Sequence, residues 1–289
     1  MGNVIRMDLY RLVKSASFKV CLIIVFLLNI LDGPIEKVGF NLTKKLAESA
    51  DNKEEMLKEL GEWNNTFHFG NIVASQLGTI CTAVFLLCIV YFCYADIKNG
   101  YIKNIAGQLP SRGHTVVSKF IVVQFTIFVF YTVTIIGETV GQLIIGRKME
   151  FDLFYAGAVD KETGIAEADK IFSMGAAFAE LAIKWLLLAG LCALILLFTT
   201  GIGSNVAGTI VAILCGAGFT SLAYLGITTG VNKLLKFKDF NLSDFMPDSL
   251  YRTNLFNEDC VVRALIVAVI TIVVLMYCTI NLYNKKDIK

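Results

Sequence analysis

Six long apolar runs separated by polar stretches organise the chain, at roughly residues 16–33, 71–95, 119–146, 176–200, 205–230 and 260–283. A helix that crosses a bilayer needs about 20 mostly apolar residues. Each run approaches that length, so the pattern predicts six transmembrane helices with both termini on one side. The first run is the shortest, its uninterrupted core reaching only from Val20 to Leu31 before Asp32, Gly33 and Pro34. No small-residue cleavage site follows it, so it reads as a retained span rather than a signal peptide. Ahead of it, residues 1–17 place Ile5, Leu9, Leu12 and Val13 on one helical face, with Arg6, Arg11 and Lys14 elsewhere. That is the pattern of an elbow helix lying in the inner headgroup layer.

The runs differ in character. The second carries Asn71, Ser75, Gly78, Thr79 and Thr82 at helical spacing in its outer half, and the fifth repeats Gly208, Ala212, Gly216 and Thr220. A small, polar stripe either permits close helix packing or lines a wet cavity. Runs one, four and six are bulky Leu, Ile, Val and Phe, so spans two and five are expected inside, with these residues at a dimer interface or along a pathway. Glu138 in the third run falls roughly 28 Å along the helix from Lys119 at 1.5 Å per residue. It is expected to be an interfacial acid beside the packing notch of Gly137 and Gly141 rather than a proton relay.

The polar stretches predict further helices. Residues 42–60 are dense in Lys and Glu around Leu46, Ala50, Met56, Leu57 and Leu60, the pattern of a solvated helix supported by charge pairs four apart. Residues 147–173 are acidic and run into a helical pattern from Ala166 to Glu180. Glu180 and Lys184 are spaced for a pair on a fourth helix whose outer end projects past the bilayer. Residues 231–259 mix Lys233, Lys236 and Lys238 with Phe237, Phe240, Phe245, Met246 and Pro247, which predicts interfacial helices capping the outer mouth.

With 56% hydrophobic residues in 289 and a mean hydropathy of +0.66, the chain is too apolar for a soluble domain and too short for a transporter with its own motor. We expect an all-α integral membrane protein with one membrane domain over 1–289. Residues 1–17, the loop 96–119 and the tail after 283 are basic, while the remaining polar stretches are acidic in balance. Lys and Arg close to span ends mark the cytoplasmic side. Both termini are therefore placed in the cytoplasm, with 34–70, 147–173 and 231–259 outside. The small net charge of +2 gives no reason to expect a nucleic-acid partner. Seven of the eight Cys lie in the runs, only Cys260 near the outer surface, and none form a Cys-x-x-Cys site; they read as small apolar fillers. His68 and His114 fall on opposite sides in this topology, so no metal ligand is assigned. The GxxxxGK[ST] phosphate loop, His-Glu-x-x-His and Gly-x-Ser-x-Gly are absent. We therefore expect no catalytic residue and no cofactor bound by this chain.

The most patterned polar stretch is the loop 96–119, DIKNGYIKNIAGQLPSRGHTVVSK. Asp96, then Gly100, Tyr101, Ile102, Lys103 and Asn104, then Ser111 and Arg112 after Pro110, then Ser118 and Lys119, resemble the loop after the second helix in permease subunits of type 2 ABC exporters. Asp96 stands where Glu is usual. In that family this loop forms a coupling helix seated in a groove of the ATPase subunit. The resemblance thus implies that Asp96, Gly100, Tyr101, Ile102, Lys103, Asn104, Ser111 and Arg112 contact such a subunit. The basic tail, Leu282 to Ile288, is similar to that of many small permeases, so the resemblance covers both ends of the chain and its six-span plan.

That resemblance implies a bacterial plasma-membrane protein working as a dimer, most simply a homodimer, with two ATPase subunits that carry the ATP and Mg. Spans two and five, with span one at the side, would enclose a cavity that alternates between the two faces of the bilayer. Separately encoded permeases of this size resemble exporters of amphipathic peptides, such as phenol-soluble modulins, and lantibiotic-immunity permeases. A small lipophilic antibiotic exporter of the bacitracin-resistance kind is the alternative within transport. Outside transport, the alternatives are a membrane enzyme or a signalling receptor.

Overall fold

The computed structural model describes residues 2–49, 53–61, 63–75, 77–98, 113–156, 168–235 and 240–285. These are predominantly helical. Five helical segments are long and apolar enough to cross a membrane, at Ala16–Glu48, Phe69–Ala95, Gly113–Ile144, Met174–Ile202 and Val261–Lys285. A sixth crossing is formed only if the pair at 205–217 and 220–234, bent by 81°, counts as one span. The chain is thus a multi-pass helical membrane protein.

The elements run as follows. Helix α1 is Gly2–Lys14 and α2 is Ala16–Glu48, followed by α3 at Lys53–Leu60. Strand β1, Thr66–His68, leads into α4 at Phe69–Ala74 and then α5 at Thr79–Lys98. Next come α6 at Gly113–Ile144 and strands β2 (Lys148–Glu150), β3 (Leu153–Tyr155) and β4 (Lys170–Phe172). Helix α7, Met174–Leu196, continues as a π-turn over Leu197–Ile202. Helices α8 (Asn205–Ala217) and α9 (Thr220–Leu235), a 3-10 turn at Leu242–Phe245, α10 (Pro247–Arg252) and α11 (Val261–Lys285) complete the chain.

The first helix does not stop near Pro34 but carries that proline inside α2; the solvated stretch beyond it partly prolongs the span. The second span is interrupted where Ser75 turns extended after α4, so its polar residues do not form one helical stripe. The fifth is broken at Gly218, whose φ of +78° favours a residue without Cβ. The outer segments are not purely helical, since β1 pairs with β2 in parallel and β3 with β4 antiparallel. The strand at Lys170–Phe172 lies within the stretch expected to be helical from Ala166, a start that falls outside the described residues.

Two compact units make up the structure. The first comprises Met1–Leu22, Gln76–Tyr131 and Ala179–Lys289. Its core is Phe85, Leu86, Ile89, Ile127, Phe130, Leu187 and Leu188, all sealed from solvent. Phe85 meets Phe130 edge-on at 5.0 Å. Helices α5 and α8 pack so closely that a Cβ on Gly216 would sit 2.5 Å from the Ala83 Cα. The small stripe of the fifth run is what allows this approach.

The second unit comprises Ile23–Ser75 and Thr132–Phe178. Here α2 crosses α6 at the predicted glycine notch: a Cβ on Gly141 would lie 2.6 Å from the Ile30 carbonyl oxygen, and one on Gly33 2.9 Å from the Gly141 oxygen. Just beyond, Arg147 gathers the end of the unit. It forms paired 2.8 Å bonds to Glu36, donates to the Asn64 carbonyl and Gln142, and lies 4.3 Å over the Trp63 ring. A planar guanidinium can serve all of these at once where an ammonium could not.

Candidate functional site

Helix α10 is six residues, PDSLYR, and three of them reach interrupted spans of the first unit. Pro247 starts the helix, where its missing N–H costs nothing. Asp248 accepts from the Thr220 hydroxyl and, at 2.7 Å, from the Tyr224 hydroxyl, both on α9. One turn later Arg252 donates to the Cys215 and Gly216 carbonyls at 2.6 and 2.8 Å. Those carbonyls belong to the end of α8, which the chain leaves at the bend. A cation at a helix C-terminus and an acid at a helix N-terminus both oppose the macrodipole. The same arginine reaches Thr79, the first residue of α5, at 3.2 Å.

Tyr251 serves the second span. Its hydroxyl accepts from the Leu77 backbone N–H at 2.9 Å and lies 3.2 Å from the Tyr131 hydroxyl. The Thr82 hydroxyl donates to the Leu77 carbonyl at 2.6 Å. Leu77 is sealed from solvent, and backbone groups freed by a break and cut off from water need such partners. Burial pushes the Tyr251 hydroxyl up to about 12, with the bonds from Tyr131 and Leu77 pulling the other way. Beside the bend, Gly218, Thr220, Tyr224, Asp248, Arg252 and Glu258 line a half-open polar cavity of about 250 Å³.

The start of α7 adds a buried charge pair. Glu180 accepts from Lys184 at 2.9 Å and from the Leu255 N–H at 3.1 Å. Their side chains are 0% and 2% exposed. The expected pair forms, but inside the protein rather than on a projecting helix end, because the chain after α10 folds over it.

A second polar junction lies at the start of α6. Helix α1 buries Val4, Asp8 and Leu12, a stripe displaced from the predicted face; Val13 is exposed. The Ser118 hydroxyl donates to Asp8 at 2.7 Å, and Arg11 sits 3.7 Å from the other Asp8 oxygen. Lys119 is fully buried with its ammonium 5.0 Å over the Phe92 ring. A Cβ on Gly113 would stand 3.0 Å from the Ile280 side chain. The first turns of α6 are thus bound to α1, α5 and α11.

The predicted residues distribute unevenly over these features. Gly100, Tyr101, Ile102, Lys103, Asn104, Ser111 and Arg112 lie outside the described residues, and of Asp96 only its backbone, in α5, is described. Gly208, Ala212 and Gly216 are buried within the first unit, Gly216 against Ala83 and Gly208 against Thr199 and Val90. Their close approach is used inside one chain. Thr220 and Thr82 join the capped breaks, while Gly78 and Thr79 are exposed. Asn71 belongs to the second unit, where its amide accepts from the Phe154 N–H and donates to the Phe154 carbonyl; Ser75 donates to the Ile72 carbonyl. Asp248, Tyr251 and Arg252 were not singled out from the sequence. The Pro-Asp start with Arg four residues later was visible, but their partners are up to 174 residues away.

No protein-family model matches the chain, and no curated protein matches it. The class that the fold defines is a multi-pass helical membrane protein with two interrupted helices held by one polar segment.

Proposed function

We propose that this chain is the membrane subunit of an ATP-driven exporter in a bacterial plasma membrane, with a separate ATPase docking on the loop 96–119. The observation that carries the reading is the bond from Ser118 to Asp8. A helix pushed at its cytoplasmic end passes displacement to its neighbours only if that end is fixed to them. The stretch expected as a loop over 96–119 is helical from Gly113 on, and these first turns of α6 are fastened through Ser118 to the amphipathic helix α1, which we assign to the inner headgroup layer. The interrupted helices add a second support, since broken helices in transporters gather around the cargo route. A dimer of such chains would export amphipathic peptides by alternating access, neither chain binding nucleotide itself.

The test is reconstitution in vesicles with the ATPase that co-purifies with the chain. ATP turnover should rise with amphipathic helical peptides, and the peptides should appear on the far side. Ser118→Ala should retain the ATPase but lower the peptide-stimulated turnover. Stimulation by small lipophilic antibiotics alone would move the cargo to the alternative class, and failure to retain any ATPase would remove the reading.

A further inference from the structure

The second unit contains a side-chain cluster that the transport reading does not use. Strand β1 ends at His68, and the parallel register sets His68 opposite Glu150 on β2. Two residues beyond Glu150 the chain turns back, so Asp152 arrives at the same imidazole edge. The His68 Nδ1 atom is 2.5 Å from an Asp152 oxygen and 3.5 Å from a Glu150 oxygen. One donor atom from each of the three residues falls within 4.8 Å of the others.

The geometry points to a divalent cation site, with zinc as the cation its donors fit best. Bonds of about 2.0–2.2 Å in a tetrahedral arrangement hold nitrogen and oxygen donors roughly 3.3 Å apart. The His68 to Glu150 spacing of 3.5 Å already meets that requirement. The Asp152 oxygen, at 2.5 Å, is within hydrogen-bond distance of the same Nδ1 atom. A cation seated between these two donors would widen their spacing by under one ångström. Imidazole with two carboxylates supplies one borderline and two hard donors, and the two negative charges neutralise a dication.

The supporting structure holds these donors in place. The His68 ring is stacked on Phe154 at 4.6 Å and 15°. The Gly70 N–H bonds the Asp152 carbonyl at 2.8 Å, fixing the turn that carries the carboxylate. Asn71 clamps the Phe154 backbone from both sides. Glu150 is half exposed, so the cluster is open to solvent on one side and a fourth ligand can be water. Three protein donors and one open position is the arrangement that lets a bound cation also take an outside ligand.

The sequence offers a clean assay, because His68 and His114 are its only histidines. The full chain in lipid nanodiscs is titrated calorimetrically with zinc chloride. Cobalt(II) is then used as a spectroscopic probe. We expect one zinc per chain and a cobalt spectrum without thiolate charge transfer. His68→Gln and Asp152→Asn should each weaken binding by at least about tenfold. Glu150→Gln, at an exposed side chain, should weaken it without affecting folding, and His114→Gln should leave it unchanged. If His68→Gln fails to fold, the two carboxylate variants decide the matter alone. No saturable binding, affinity that follows His114, affinity unmoved by the carboxylate variants, or a thiolate signature from cobalt would each overturn the assignment.

Discussion

Asp248 and Arg252, one turn apart on α10, hold opposite sides of the same break: the aspartate takes the hydroxyls of Thr220 and Tyr224 on α9, and the arginine takes the last carbonyls of α8. The 81° bend between α8 and α9 is thereby fixed by a pair of opposite charges rather than left as a flexible joint. Removing the arginine leaves two carbonyls without their charged donor. Arg252→Ala should cost about 2–3 kcal/mol, in the range of lost hydrogen bonds to charged groups. Arg252→Lys should recover only part of this, because an ammonium lacks the fork that serves two carbonyls and Thr79 together. Thermal unfolding in detergent checks both. Equal stability of the Ala and Lys variants with the parent would show that the bend does not depend on the cap.

Tyr251 gives a prediction with a definite pH window. Its hydroxyl is raised from 10.0 to about 12 in the fold, so the unfolded chain releases this proton first as pH rises. The stabilisation tied to the neutral hydroxyl is therefore complete below about pH 10 and is lost as pH climbs through 12. Tyr251→Phe should flatten that loss. It should also cost about 1–3 kcal/mol at neutral pH, because the Leu77 N–H is left without an acceptor. Unfolding midpoints measured between pH 9 and 12 for the two proteins should converge at the alkaline end. A constant gap would contradict the assignment.

The buried pair of Glu180 and Lys184 should behave asymmetrically. Glu180→Gln alone removes the carboxylate charge that faces a buried ammonium and should cost about 3–5 kcal/mol. The double change Glu180→Gln with Lys184→Met removes both charges but keeps an acceptor for the Leu255 N–H, and should recover most of the loss. A double-mutant cycle on unfolding midpoints reads the coupling. Additive losses would mean that the pair is solvated.

Gly216 and Gly78 look alike in sequence but separate in the structure. A side chain at Gly216 would run into the Ala83 backbone, whereas nothing lies within 4 Å of a Cβ at Gly78. Gly216→Leu should therefore destabilise the single chain. Gly78→Leu should leave its unfolding midpoint unchanged, so any loss of crosslinked dimer in that variant reports a contact between two copies. A drop in stability for Gly78→Leu equal to that for Gly216→Leu would remove the distinction.

Much of this architecture was legible because it depends on composition over 20-residue windows. The apolar runs, the helical residues 2–14 and the glycine notch at Gly137 and Gly141 all express periodicity that local sequence carries. The breaks at Ser75 and Gly218 were not legible, since a small-rich helix and a small-rich interruption have the same residues. What distinguishes them is the distant segment 247–252, whose Tyr251 and Arg252 stabilise backbone ends far away in the chain. The buried state of Glu180 and Lys184 was hidden for the same reason: their spacing suits a solvated helix face equally well, and only the fold of Leu255 over them decides. His68 could not be joined to Glu150 and Asp152 without knowing the strand register.

The central claim is that the loop 96–119 receives an ATPase and passes its motion into α6. Ile102 is the apolar residue at the middle of the patterned stretch, and Arg112 directly precedes Gly113, where α6 opens. The decisive measurement compares Ile102→Asp with Arg112→Ala, reading ATPase retained on purification together with ATP turnover and transport in reconstituted vesicles. Ile102→Asp should release the ATPase or uncouple its turnover, because it forces a charge into an apolar contact. Arg112→Ala should retain the ATPase and lose transport. Retention, turnover and transport unchanged in both variants would show that the loop is only a topology anchor and would contradict the exporter reading.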